Sequence, residues 1–98
     1  MTPATFNSLA EQELVDAAAY YEEQKPGLGL EYLEEVERAV NFLIRYPNAG
    51  LEIRGSVRRL MLPKFPYSLL YRVLKNSQIR ILAVAHHKRR PKYWSDRK

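Results

Sequence analysis

The stretch VAHHKRRPKYW, residues 84–94, holds the residue types that could do chemistry in this chain. An apolar run ends there on two histidines, and four lysine or arginine residues and two aromatic residues occupy the next seven positions. A histidine can donate or accept a proton near neutral pH, cations bind phosphate, and aromatic rings beside cations stack on nucleic-acid bases. The stretch therefore predicts a surface that meets an anionic partner and could act on it.

The same residues also have simpler explanations. If the strand continues through His86 and His87, their side chains point to opposite faces of the sheet, so they cannot easily bind one metal ion and at most one lies in a site. Trp94 could stack on a base, or it could anchor the tail of the chain on the sheet. Pro91 most simply ends the strand, because proline has no backbone N–H to donate.

The two halves of the sequence carry opposite charges. Residues 1–49 contain three lysine or arginine residues and nine acids, which gives a net charge of −6. Residues 50–98 contain thirteen lysine or arginine residues against Glu52 and Asp96, which gives +11. Acidic helices folded against a basic sheet would compensate part of this difference. The excess in the second half still predicts an anionic partner, either a nucleic acid or an acidic protein.

The composition excludes several classes of protein. The chain has no cysteine, so it can form neither a disulfide framework nor a thiolate metal site or nucleophile. Its first residues lack the basic and apolar regions of a secretory signal, and no apolar run approaches the roughly 18 residues of a membrane span. We expect a cytoplasmic protein with a single domain at residues 1–98.

The first half of the chain has the pattern of two amphipathic helices. Ser8 and Glu11 have the spacing of a capping box, which predicts a helix start, and a short edge strand is expected before it at residues 3–6. The segment KPGLG (25–29) separates the helices, because proline and glycine are poor helix-interior residues. Apolar spacings of three and four predict the buried helix faces, formed by Ala10, Leu14, Ala17, Ala18 and Tyr21 and by Leu33, Val36, Val40 and Leu43.

After residue 55 the sequence has the pattern of β-strands. The segments SVRRLML, YSLLYRVL and QIRILAVAH are rich in β-branched and aromatic residues, and residues 75–77 separate the last two as a turn. Alternation predicts two shared faces, formed by Tyr67, Leu69, Tyr71 and Val73 and by Ile79, Ile81, Ala83 and Ala85. The sequence thus predicts an α+β fold in which an N-terminal αα-hairpin packs on a small antiparallel β-sheet.

Four stretches follow one another in a distinctive order along the sequence, namely AAAYYEEQKPGLGLEYLEEVERAV, YPNAG, VRRLMLPKFPYSLLYRV and ILAVAHHKRRPKYW. Together they resemble the RelE/ParE toxin superfamily of bacterial type II toxin–antitoxin systems, which includes plasmid stabilisation proteins. The resemblance implies a compact α+β fold, a bacterial or archaeal host and a cognate antitoxin that wraps and neutralises the toxin. It also implies one of two activities. RelE-like members cleave mRNA in the ribosomal A site without a metal, whereas ParE-like members poison DNA gyrase and are not known as nucleases.

The resemblance also implies roles for individual residues. In the RelE-like case, Arg59 would contact the phosphate, His87 would act as acid or base, and Tyr93 would position the RNA. Further cations would bind the nucleic acid or another target, and these are Arg58, Lys88, Arg89, Arg90 and Lys92, with Arg89 also contacting the phosphate. The resemblance implies no cofactor or metal, because RelE-like members cleave mRNA without one. Such a reaction needs an acid, a base and groups that stabilise the charged phosphorane.

One position departs from the nuclease branch. There, the tyrosine that opens the central strand is usually followed by an arginine that contacts the reacting phosphate, whereas here Tyr67 is followed by Ser68. The phosphate clamp is incomplete unless Arg58, Arg59 or Arg72 replaces this arginine. The departure supports an alternative function, a non-toxic and degenerate toxin fold that binds its antitoxin for autoregulation.

Overall fold

The computed structural model describes residues 3–98. Within this range the chain forms two helices and five strands, in the order β1 (Ala4–Phe6), α1 (Ser8–Gln24), α2 (Leu28–Arg45), β2 (Leu51–Arg54), β3 (Val57–Met61), β4 (Tyr67–Val73) and β5 (Ile79–His86). A single turn of 3-10 helix at Lys75–Ser77 joins β4 to β5. The described part of the chain contains no helix that is both long and apolar enough to cross a bilayer.

The strands form one mixed sheet in the order β1-β5-β4-β3-β2. Neighbours are antiparallel from β2 to β5, whereas β1 is parallel to β5. The predicted α+β class and the edge strand near the start of the chain are confirmed. The predicted antiparallel pairing holds for β2 to β5, and β1 adds one parallel pair. The parallel pair arises because both helices and three strands lie between β1 and β5, so no hairpin dictates their relative direction.

The start of α1 differs by one residue from the expected capping box. Asn7 is the capping residue: its side-chain oxygen accepts the N–H of Leu9 at 2.8 Å, and its carbonyl accepts the N–H of Glu11 at 2.9 Å. Ser8 is already the first helical residue. Asparagine and serine cap helices about equally well, so the sequence alone does not decide between adjacent candidates.

The helices pack on one face of the sheet, and a smaller core forms on the other. The helix-side core contains Ala10, Ala17, Tyr32, Val36, Leu43, Leu62, Leu69, Tyr71, Ile79, Ile81 and Val84. We call the other side the open face, and its core contains Val57, Leu70, Leu82, Ala83, Ala85 and Trp94. Of the two roles considered for Trp94, the structure shows the tail anchor, since its side chain packs against the strands.

A β-bulge in β5 decides which residues reach the open face. Tyr71 pairs with Ile81 and Leu70 with Ala83, so Leu82 is left without a partner in the ladder. The extra residue reverses the alternation, and Ala83 therefore lies on the open face instead of sharing the helix-side face of Ile81. The expectation that Ile79, Ile81, Ala83 and Ala85 share one face is wrong for the last two. The four residues predicted to share a face of β4 do so.

Candidate functional site

A cleft of about 470 Å³ lies on the open face of the sheet. We call residues 87–98 the basic segment because it contains six lysine or arginine residues and one acid. Residues 87 and 89–94 of this segment form one wall of the cleft. This segment turns back over the strands after β5 and is held there by Trp94, which is 7% exposed. The polar and aromatic residues that line the cleft include Arg54, Arg59, Ser68, His87, Arg89, Arg90, Lys92 and Tyr93.

Strand alternation and the bulge bring Arg59, Ser68 and His87 to the cleft. Arg59 pairs with Leu70 and Ser68 with Ala85, and these two partners belong to the open-face core. The N–H of His87 donates to the carbonyl of Pro66 at 2.8 Å, so pairing extends one residue past β5. Because the bulge has reversed the alternation, His87 falls on the open face together with Ala85.

The two adjacent histidines have different surroundings. The ring of His86 packs edge-on against Tyr67, with 5.0 Å between centroids, and its Nδ1 accepts the N–H of Lys88 at 3.0 Å. The Nε2 of His87 lies 3.0 Å from Oγ of Ser68, which is buried on the floor of the cleft. The serine hydroxyl can donate to that nitrogen or accept from it. It orients the imidazole but brings no positive charge to a bound phosphate.

The structure separates Arg58 and Lys88 from the other candidate residues. The Arg58 guanidinium donates to the carbonyls of Asn48 at 3.2 Å and Gly50 at 2.8 Å, and its Nη2 lies 4.0 Å from Glu52. It thereby ties the connection between α2 and β2 to β3. Lys88 is exposed in the turn after β5, and neither residue lines the cleft.

The hydroxyl of Tyr93 is already engaged within the protein. It donates to Oε2 of Glu13 on α1 at 2.8 Å, while the guanidinium carbons of Arg89 and Arg97 lie 3.9 Å and 4.9 Å from its ring centroid. Burial, and then the hydrogen bond to Glu13, raise the pKa of Tyr93 above its ordinary value. The phenol is therefore neutral at physiological pH, and its oxygen points to α1.

Glu13 does not line the cleft but contacts two residues that do, Tyr93 and Arg89, and the sequence did not reveal this role. Its carboxylate accepts hydrogen bonds from Tyr93, from the N–H of Val84 at 3.0 Å and from Arg97 at 2.7 Å and 3.1 Å, and Arg89 Nη1 lies 3.8 Å away. The available signal was its position three residues after Ala10 and four before Ala17, which puts an acid on the buried face of α1.

Six of the eight predicted site residues meet at one cleft, namely Arg59, His87, Arg89, Arg90, Lys92 and Tyr93. Their arrangement gives an exposed imidazole in a cleft that also contains several guanidinium groups and the ammonium group of Lys92. Such a site can attract an anionic surface and can bind a phosphate. Among residues 3–98, no group of three or more histidine, aspartate, glutamate or cysteine side chains is placed to hold a metal ion.

Comparisons with known proteins agree with this fold. The sequence model of the family described as the ParE toxin of the type II toxin–antitoxin system parDE matches residues 5–91. The chain therefore belongs to the ParE toxin family, and the expected membership of the RelE/ParE superfamily is confirmed. Its fold is similar to that of a chain in the chromosomal ParDE toxin–antitoxin system from P. aeruginosa, with a TM-score of 0.73 and 23% sequence identity over 88% of this chain and 96% of that chain. A comparison with curated proteins finds no match.

Proposed function

We propose that this chain is the toxin of a type II toxin–antitoxin pair, that a cognate antitoxin neutralises it, and that its target is DNA gyrase. The observation that carries this proposal is the match of the ParE toxin family to residues 5–91. ParE-like members of the superfamily poison gyrase and are not known as nucleases, so membership of this branch favours gyrase over the ribosome.

The chemistry of the cleft supports binding over RNA cleavage. Metal-free cleavage needs one group to remove the proton of the 2′-hydroxyl, a second to protonate the leaving oxygen, and cations on the phosphorane. His87 can serve as one of the two proton-transfer groups. The hydroxyl of Tyr93 donates to Glu13, and Ser68 contributes no charge, so the set is incomplete. In a toxin that only binds, the cations of the cleft are a docking surface for an anionic part of the target.

Ribosome-dependent RNA cleavage is the second candidate, and one observation favours it. The imidazole of His87 is exposed in the same cleft as Arg59 and Arg89. In this case the two arginines would hold the phosphate and His87 would act as acid or base. Tyr93 would have to release Glu13 before its hydroxyl could contact RNA.

Two surfaces fit the proposed antitoxin. β2 is an edge strand whose four residues are all exposed, so an extended segment of the partner can pair with it. An apolar groove of about 310 Å³ between β1, α1 and α2 fits the apolar face of a helix. The apolar residues that line this groove include Phe6, Leu14, Leu33, Val36, Val40 and Ile44.

The test is inducible expression in a bacterium, with and without the adjacent gene, while DNA replication, protein synthesis and mRNA ends are followed separately. The wild-type chain is compared with His87→Ala and with Lys88→Ala, an exposed position outside the cleft. Purified chain is also added to gyrase in a DNA supercoiling assay.

Early arrest of replication with intact mRNA, retained by His87→Ala and accompanied by loss of supercoiling, would support the gyrase proposal. Early loss of protein synthesis with new mRNA ends, abolished by His87→Ala, would contradict it and support RNA cleavage. Normal growth in every arm, with unaffected gyrase, would point to the non-toxic binding module.

A further inference from the structure

The edge of β5 is open at the point where Glu13 meets the basic segment. β1 pairs with β5 only as far as Ile81, and within residues 3–98 no strand pairs with the following residues of β5 on that side. Glu13 accepts the N–H of Val84 at 3.0 Å, and Arg97 donates to the carbonyl of Leu82 at 3.2 Å. A carboxylate from α1 and a guanidinium from the basic segment thus complete the exposed strand edge.

The same carboxylate fixes the basic segment at two further points. Arg97 binds it with two nitrogens, a charge-assisted arrangement that is stronger and more directional than a neutral hydrogen bond. Tyr93 donates its hydroxyl to it, and Arg89 approaches to 3.8 Å. The side chains of Glu13 and Arg97 are 16% and 11% exposed, so solvent screens this pair less than a surface ion pair.

The basic segment depends on such contacts because it contains no helix or strand. Lys92 has φ of 66°, an uncommon value for a residue other than glycine. This conformation persists only where the neighbours of the residue are fixed. Tyr93 is held by Glu13, and Trp94 is held by the open-face core. Farther along, the carbonyl of Lys98 accepts from Asn7 at 2.9 Å.

We propose that Glu13 is a positioning residue for the cleft: its carboxylate holds Tyr93, Arg97 and Arg89, and so fixes the cationic wall of the cleft against the sheet. Glu13 acts through these residues and does not contact the target. Tyr93, Trp94 and Arg97 lie outside residues 5–91, the part of the chain that the family model matches. The consequence for toxicity rests on the proposed function, whereas the positioning of the segment does not.

Intrinsic fluorescence tests whether Glu13 positions the basic segment, because Trp94 is the only tryptophan in the chain and lies in that segment. The variants are Glu13→Gln, Arg97→Gln and the double variant in the full-length chain. Glutamine keeps an oxygen that can accept from Val84 but removes the charge that holds the arginines. Glu23→Gln is the matched control, because it removes the same charge from an exposed position on α1.

We expect a red-shifted Trp94 emission and about twofold stronger acrylamide quenching in Glu13→Gln and Arg97→Gln, as local opening of the segment exposes the indole. The change in the double variant should be less than the sum of the changes in the two single variants, because each single change already removes the ion pair of Glu13 with Arg97. Added salt should increase quenching in the wild-type chain but not in Glu13→Gln. Far-UV circular dichroism should show that both helices are retained, and Glu23→Gln should behave as wild type.

Wild-type emission and quenching in Glu13→Gln would overturn the positioning role. If Glu13→Gln fails to fold, Arg97→Gln decides the same question. In cells, Glu13→Gln should inhibit growth less than Glu23→Gln, because a displaced cationic wall binds an anionic target less well. Full growth inhibition with an exposed Trp94 would overturn the link to activity. A wild-type chain that does not inhibit growth would contradict the proposed function, while the fluorescence result would still decide the positioning.

Discussion

Arg58 and Arg59 are adjacent in β3 and have the same side-chain chemistry, yet their surroundings differ because successive residues of a strand point to opposite faces. Arg59 is exposed in the cleft. Arg58 instead donates hydrogen bonds to the carbonyls of Asn48 and Gly50. A count of cations cannot distinguish the two. The pairing register can, because it puts Arg59 in the cleft and Arg58 against backbone carbonyls.

Replacing these two arginines one at a time should therefore give opposite results. Arg58→Gln should lower the free energy of unfolding by about 1–2 kcal/mol, because two carbonyls lose a charged donor. Arg59→Gln should change it by less than about 0.5 kcal/mol, as is usual for exposed positions, but should weaken growth inhibition. Urea unfolding and induced growth curves measure the two effects. Equal losses of stability would show that the assignment of faces is wrong.

Lys92 offers a separate test of the backbone. Lys92→Asn and Lys92→Gln remove the same charge, but asparagine tolerates the left-handed conformation better than glutamine does. With φ of 66° at this position, we expect Lys92→Asn to be more stable than Lys92→Gln by about 0.5–1 kcal/mol. Urea unfolding of the two variants measures this difference. A glutamine variant as stable as the asparagine variant would argue against a fixed basic segment.

At the scale of elements, the αα-hairpin depends on two glycines with different roles. Gly27 precedes α2 with φ of 90°, and a Cβ there would meet nothing within 4 Å. Gly29 lies against α1, and a Cβ there would come within 2.6 Å of the carbonyl oxygen of Ala18. Glu22 joins the two positions by accepting both of their N–H groups, at 3.0 Å and 3.1 Å. The sequence KPGLG thus ends one helix and lets the next pack closely against it.

Alanine at each glycine should distinguish these roles. Gly29→Ala should cost about 2–3 kcal/mol, because the methyl group meets backbone and forces the helices apart. Gly27→Ala should cost about 1–2 kcal/mol through its left-handed conformation alone. Thermal and urea unfolding measure the loss of stability in each variant. The m-values, which give the dependence of the unfolding free energy on urea concentration, should stay unchanged. A larger loss at Gly27 than at Gly29 would contradict the close helix contact.

The elements also show what the sequence could not predict. Apolar spacings of three and four identified both helices, and the content of β-branched and aromatic residues identified β3 to β5. The bulge was not predictable, since residues 81–85 are all apolar and no polar residue marks the reversal of faces. β2 was missed because its four residues are all exposed. Glu13 was missed because its partners lie 71 or more residues away, and local spacing does not report such contacts.

At the scale of the whole molecule, the opposite charges of the two halves are not cancelled by contact. Among residues 3–98, the ion pairs that join the acidic half to the basic half all use Glu13, with Arg89 and Arg97 as partners. The pair of Arg38 with Glu35 stays within α2, and that of Arg58 with Glu52 stays within the sheet. The basic surface therefore remains available to an anionic target or antitoxin, and salt should weaken that association.

Because of its buried and half-buried tyrosines, the protein should become less stable at alkaline pH. Five tyrosines have a pKa above the ordinary value of about 10, and burial is the largest cause in each case. These are Tyr21, Tyr32, Tyr67, Tyr71 and Tyr93. Below that value both the folded and the unfolded chain keep these protons. Above it the unfolded chain loses them first, so the folded state binds more protons and the free energy of unfolding falls as pH rises.

Two of these tyrosines form a matched pair for the final prediction. The buried hydroxyl of Tyr32 has no hydrogen-bond partner within residues 3–98, whereas that of Tyr71 accepts from Gly50 and donates to Pro47, both at 2.8 Å. At neutral pH, Tyr32→Phe should be at least as stable as wild type, while Tyr71→Phe should lose about 1–3 kcal/mol by leaving two backbone groups unpaired.

Urea unfolding between about pH 7 and pH 12 measures both effects, and absorbance at 295 nm follows the ionisation of the tyrosines. The free energy of unfolding of the wild-type chain should fall above about pH 10. That of Tyr32→Phe should fall less steeply, because the variant lacks one hydroxyl that keeps its proton longer in the folded state than in the unfolded state. At a pH near 11, the folded chain should absorb less than the urea-unfolded chain. If Tyr32→Phe and Tyr71→Phe lost the same free energy of unfolding at neutral pH, the difference in hydrogen bonding would be contradicted. If the stability of Tyr32→Phe fell with alkaline pH as steeply as that of the wild-type chain, the raised pKa of Tyr32 would be contradicted.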